Sequence, residues 1–106
     1  MFAVKYSKLV RDRIPEIIAS SGKTCVCEAL SAQRYLEMLG EKLNEELTEY
    51  QESKSMEELA DLLEMIRAVA ETRCSSIKEV EAIHEVKAKE LGGCEKRIIL
   101  QEVCSL

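Results

Sequence analysis

The sequence contains no tryptophan, one phenylalanine and three tyrosines among its 106 residues. Few side chains are therefore available to stack on a nucleobase: Phe2, Tyr6, Tyr35 and Tyr50. Histidine is nearly absent as well. His84 stands alone and lies far along the chain from the Cys25-Val26-Cys27 pair. A zinc site needs four ligands at defined spacing, so a structural zinc centre is not expected. The five cysteines, Cys25, Cys27, Cys74, Cys94 and Cys104, are odd in number and irregularly spaced. That argues against a disulfide-stapled secreted scaffold and for a reducing, cytoplasmic setting. No apolar run approaches the ~20 residues of a membrane span. The first residues, Met1 to Lys8, lack the apolar core of a secretory signal.

What is present points to one small globular domain covering residues 1–106. The hydrophobic share of 46% is ordinary for a folded protein. A chain this short buries little, so association with a second copy would help it. The net charge of −5 disfavours non-specific attraction to nucleic acid or to an anionic membrane surface.

The pattern predicts an all-α protein. The single proline, Pro15, favours an extended Ile14 before it and a short helix over 15–19. Residues 20–23 read as a turn and residues 24–30 as extended or irregular. Ser31 is a good N-cap for a helix ending near Ser53, with Leu36, Leu39, Leu43, Leu47 and Tyr50 as its apolar seam. Ser55-Met56-Glu57-Glu58 matches a capping box and opens a second helix. Its predicted apolar face is Met56, Leu59, Leu62, Leu63, Ile66, Val69 and Ala70. Ser76 opens a third long helix with Ile77, Val80, Ile83 and Leu91 as its buried side, and Gly92-Gly93 stops it. The stretch Arg97 to Leu100 is expected to be a strand or an extended arm beside the N-terminal segment. The expected architecture is a helical bundle built on an antiparallel hairpin plus a third long helix, with extended arms at both ends.

Six carboxylates lie on that hairpin. Glu45, Glu46 and Glu49 form E-E-x-x-E, and Glu57, Glu58 and Asp61 form E-E-x-x-D. At about 1.5 Å rise per residue, Glu49 falls level with Glu58 and Glu46 level with Asp61. At about 100° per residue, Glu46 sits roughly 60° and Glu49 roughly 120° from their seam, and Glu58 and Asp61 roughly 90° and 150° from theirs. The offsets share one sense, so these four acids are expected on one flank of the hairpin. Glu45 falls roughly opposite its seam, at about 160°. Clustered carboxylates repel, at about 4 kcal/mol per pair for 4 Å and an effective dielectric near 20. A hard divalent cation would relieve that repulsion. The alternative is a solvated acidic face, with Lys42 near Glu45, Glu46 and Glu49, Glu58 returning the capping-box hydrogen bond, and Glu57 and Glu58 favoured by the helix dipole.

Longer stretches carry a resemblance. Glu46-x-x-Glu49 followed by Glu58-x-x-Asp61 resembles the ExxE…ExxD signature of the MazG-like all-α nucleotide pyrophosphohydrolases. Lys8-Leu9-Val10-Arg11-Asp12-Arg13-Ile14-Pro15-Glu16-Ile17-Ile18 is similar to the N-terminal segment of their short, single-domain members. Glu58 to Glu64 resembles their EELADLLE helix, and Lys89 to Arg97 their KxERGGFEKR segment. The sequence departs at Leu91, where those members commonly have Arg, and at Cys94, where they have Phe.

The resemblance implies Mg2+-dependent hydrolysis of nucleoside triphosphates, non-standard ones included, to a monophosphate and pyrophosphate. Mn2+ is the implied substitute ion. Glu46, Glu49, Glu58 and Asp61 would be the metal ligands, and Glu45 would assist catalysis through water. Lys8, Arg11 and Lys89 match basic positions that would meet phosphates. The implied assembly is a homodimer or homotetramer. Two other readings stand beside this one: a phosphoribosyl-ATP pyrophosphohydrolase, and a non-catalytic helical dimer that binds a nucleotide or a partner protein.

Overall fold

A computed structural model describes residues 6–105. The described residues form four helices and no strand: α1 (Ile14–Ser20), α2 (Ala32–Ser53), α3 (Met56–Thr72) and α4 (Ile77–Leu91). The all-α expectation and the helical hairpin both hold.

The start of α1 differs from the sequence reading, because Ile14 is helical rather than extended. Its N–H donates to the Arg11 carbonyl at 3.0 Å, which closes a turn before the helix. Pro15 then falls among the first amides of a helix, which have no intrahelical acceptor, so its missing N–H costs nothing there. The helix ends where Gly22 takes φ +85° and donates to the Ala19 carbonyl at 3.1 Å. Residues 24–31 have no regular structure. All five cysteines are free, exposed thiols.

Three serines start the three long helices. Ser31, Ser55 and Ser76 accept hydrogen bonds from the backbone N–H groups of Arg34, Glu58 and Glu79. Each occupies one amide that the helix cannot satisfy itself. Only Lys54 and Ser55 separate α2 from α3. Lys54 adopts the left-handed conformation, φ 59°, and donates its N–H to the Tyr50 carbonyl at 2.7 Å. So tight a reversal makes α2 and α3 antiparallel neighbours, and they pack along their lengths.

The core between them is small. It consists of Leu39, which is 1% exposed, with Met65 and Ala68, against which Leu9, Tyr35, Leu43 and Val69 pack. Only part of the face expected for α3 is inside: Val69 packs against this core and Ala70 is buried. Met56, Leu59, Leu63 and Ile66 lie at the surface. Relative to the predicted seam, α3 is turned by roughly 100° at 100° per residue, and α2 by about half as much. The physical reason is that α3 is apolar over more than one face, so periodicity alone does not say which face meets α2.

The α4 expectation is corrected too. It packs on α3 near its start, where Ile77 is half-buried, but Val80, Ile83 and Leu91 are exposed. Residues Arg97 to Leu100 form an exposed irregular arm, not a strand. The result is an elongated molecule of 72 × 32 × 23 Å with a radius of gyration of 19.1 Å. A compact chain of this size would have a radius of about 13 Å. The bundle is thus open, with one helix pair closed and α4 projecting from it.

Candidate metal centre

The turn of both helices carries the acids inward. Glu46, on α2, is 5% exposed, although it is a carboxylate. Glu58 and Asp61, on α3, are half-buried beside it. One oxygen from each of the three lies within 4.8 Å of the others. The sequence reading placed these acids on a flank; the structure sets Glu46 and Glu58 at the helix–helix boundary itself.

Burial raises the Glu46 carboxyl above the usual carboxylate range, and the charges of Glu49 and Asp61 add to this. Lys42, one turn earlier on α2, opposes the shift through a 3.2 Å contact between Nζ and Glu46 Oε1. Burial would lower the Lys42 ammonium, but its bond to Glu46 and the charges of Glu45, Glu46 and Glu49 outweigh this and raise it. The other oxygen of Glu46, Oε2, is buried and has no hydrogen-bond partner, and the same is true of Glu58 Oε2. Buried acceptors are nearly always paired, so two orphans within one group of carboxylates need an explanation.

Glu58 also fails to do what a capping box would require. Ser55 accepts from the Glu58 N–H at 3.3 Å, but the Ser55 N–H donates to Ser53 Oγ, not to the Glu58 carboxylate. Half of the box forms, and the acid side chain turns toward Glu46 and Asp61 instead.

Two of the expected basic residues reach the acids, and one does not. Arg11 Nη2 lies 2.8 Å from Asp61 Oδ1, and Lys8 Nζ lies 3.4 Å from Glu45 Oε1. Lys89 is exposed in the last turn of the projecting α4, and makes no ion pair among the described residues. The carry-over of a phosphate role to Lys89 has no support in the geometry of a single chain, because α4 leads away from the hairpin. Glu49 is half-buried and acts on Lys42 and Glu46 through its charge, but stands outside the three-carboxylate group. Glu45 faces Lys8 and Lys42 rather than the group. Glu57 is exposed.

Sequence reasoning named Lys42 only as a neighbour of a solvated acidic face; the structure pairs it with Glu45 and Glu46. The signal was present, since Lys42, Glu45 and Glu46 have the i, i+3 and i, i+4 spacing of helical ion pairs. Five carboxylates (Glu45, Glu46, Glu49, Glu58 and Asp61) face three cations (Lys8, Arg11 and Lys42). The imbalance is two negative charges, which one divalent cation would cancel.

The donor set fits a hard cation. All the donors are carboxylate oxygens, two are buried without partners, and they converge from two helices. Mg2+ is commonly held by one or two carboxylates with several waters retained, so three acids suffice. Glu46, Glu58 and Asp61 would hold it.

Comparison with known proteins adds little about chemistry. An uncharacterized protein of Mycolicibacterium smegmatis is 51% identical over 43 residues. That match covers 41% of this chain and 44% of the relative, so the chain spans less than half the length of the protein it matches. No family model matches the chain, and no solved structure matches it.

Proposed function

We propose that this protein is a Mg2+-dependent nucleotide pyrophosphohydrolase that converts nucleoside triphosphates to monophosphate and pyrophosphate. The observation that carries the reading is the pair of orphaned, buried oxygens on Glu46 and Glu58, within a convergent group completed by Asp61. The extended resemblance to the MazG-like pyrophosphohydrolases supports the same reading. When bound, the cation supplies charge neutralisation for phosphate oxygens and acidifies a water. Glu46, Glu58 and Asp61 fix its position from two rigid helices. Glu49, whose charge acts on Glu46, would accept a proton from an attacking water, and Glu45, paired with Lys8 and Lys42, would assist through water. Lys8 and Arg11 bring positive charge to where the phosphates would lie.

The test is a panel of nucleoside triphosphates with Mg2+ or Mn2+, assayed for pyrophosphate. Asp61→Asn and Glu49→Gln should each lower the rate at least tenfold while leaving helix content intact. Unchanged turnover in both variants would end the assignment.

A specific observation favours a dimer as the working form. Met56, Leu59, Leu63 and Ile66 form an exposed stripe on α3, and Val80, Ile83 and Val86 are exposed on α4. Repetition at three- and four-residue spacing is the mark of a helix seam. A second copy, laid antiparallel on this stripe, would close the open bundle. The non-catalytic alternative, a helical dimer that only binds a nucleotide, uses the same stripe; it predicts binding without pyrophosphate release.

A further inference from the structure

The N-terminal segment before α1 is unusual in how it is held. Among the described residues, no backbone hydrogen bond ties residues 6–10 to the hairpin. Three side chains hold it instead. Leu9 packs against the Leu39 core, Lys8 reaches Glu45 on α2, and Arg11 reaches Asp61 on α3. Both ion pairs are substantially exposed to solvent. A segment held by one apolar anchor and two wet ion pairs opens at low cost.

The acid that Arg11 holds belongs to the three-carboxylate group. A divalent cation on Asp61 and a guanidinium 2.8 Å from the same carboxylate would repel each other. Arg11 therefore supplies, with a single charge, part of the neutralisation that a dication would give Asp61. Its guanidinium is also suited to phosphate, which it grips through two parallel hydrogen bonds.

We propose that residues Lys8 to Arg11 form a displaceable cationic clamp, and that Arg11 passes from Asp61 to the phosphates of the substrate when a divalent cation enters the site. The inference rests on the metal-site reading above and gives it an order of events. Without metal, Arg11 shields Asp61 and the segment lies closed on the hairpin. With metal alone, Arg11 loses its partner and the segment loosens around Leu9. With metal and triphosphate, Arg11 gains phosphate oxygens and the segment closes again. Arg11 is then an antagonist of metal and an ally of substrate, two roles that a fixed phosphate-binding arginine does not combine.

The experiment compares wild-type protein with Arg11→Ala and Arg11→Gln. Mn2+ alone is titrated and followed by electron paramagnetic resonance. A non-hydrolysable triphosphate analogue is titrated separately in saturating Mn2+. Circular dichroism confirms that helix content is unchanged. Both variants should bind Mn2+ about three- to tenfold more tightly, with the gain shrinking as salt is added. Both should bind the analogue at least tenfold more weakly. In the wild type, trypsin should cut after Lys8 and Arg11 faster in Mn2+ alone than in either metal-free protein or the ternary complex. Mn2+ affinity that is unchanged or weaker in the Arg11 variants, or trypsin cleavage indifferent to Mn2+, overturns the clamp while leaving the metal site standing. Failure of the wild type to bind Mn2+ overturns the metal-site reading itself, and the clamp with it.

Discussion

Ser55 Oγ accepts the Glu58 N–H at 3.3 Å, yet the Glu58 carboxylate does not return the bond to Ser55. The hydroxyl caps α3, and the acid that would ordinarily accept from the Ser55 backbone N–H is left for the space beside Glu46. Capping thus rests on the serine alone, which separates helix stability from the chemistry of Glu58.

The two substitutions should therefore behave differently. Ser55→Ala should cost about 1 kcal/mol of stability, the usual loss of an N-cap. Glu58→Gln should cost little stability and should strongly weaken Mn2+ binding. Denaturant titration with a parallel metal titration checks both. A loss of stability in Glu58→Gln as large as in Ser55→Ala would show that the capping box closes in solution.

Glu46 gives a pH dependence with a definite sign. Its folded-state pKa is raised, so the folded protein holds this proton more tightly than the unfolded chain. Its contribution to stability is fully present below the unfolded carboxyl value and is lost as pH rises through the higher, folded one. In metal-free protein, Glu46→Gln should therefore gain stability relative to wild type above that window, on the order of 1 kcal/mol for removing a charge that burial disfavours. At pH 3 that advantage should vanish. Thermal melts of the two proteins across pH, in chelator, measure it.

The hairpin depends on one left-handed residue. Lys54→Pro should cost about 3 kcal/mol or more, because proline fixes φ near −65° and removes the N–H that the Tyr50 carbonyl accepts. Lys54→Gly removes the strain of a left-handed Cβ, about 1 kcal/mol or more. It also loses the ammonium placed 5.6 Å from the Tyr50 ring, worth about 0.5 kcal/mol at an exposed site. Lys54→Gly should thus be mildly stabilising, and equilibrium urea unfolding would show the opposite sign if the turn were not left-handed.

Leu39 and Leu63 test where the interior lies. Leu39→Ala empties the one fully buried large side chain among the described residues and should cost about 2–5 kcal/mol. Leu63→Glu changes an exposed position in the lone chain, and there it should be nearly neutral. In an assembled dimer it would place a charge in an apolar seam. Light scattering should therefore find Leu63→Glu monomeric at concentrations where the wild type is dimeric. If both proteins scatter alike, the α3 stripe is not the contact between copies.

Helix ends were legible in the sequence because they depend on local chemistry. Ser31, Ser55, Ser76 and Gly92 act within one turn of themselves, and each stands where its residue type led one to expect. The rotation of α3 was not legible. Leu59, Leu63 and Met65 are all apolar, and which of them meets α2 is decided by packing against another element. The rotations of α2 and α3 move Glu46 and Glu58 from a flank to the boundary between helices, where sequence reasoning only gathers them on one side. Ile14 was misjudged because a preference against helix before proline was outweighed by the turn bond to Arg11. Lys89 is a case of another kind: it lies exposed in the last turn of α4, and a residue's place in a motif does not state the path of the chain that carries it.

The small interior sets how the isolated chain comes apart. Heat capacity and denaturant sensitivity both follow the apolar area that unfolding newly exposes. Here Ile83, Val86 and Leu91 are in water before unfolding begins. The lone chain should therefore show a heat-capacity increment well below the ordinary ~12–15 cal/mol/K per residue. Its melting should be broad and calorimetrically shallow, with a stability curve flatter in temperature than that of a compact domain of equal length.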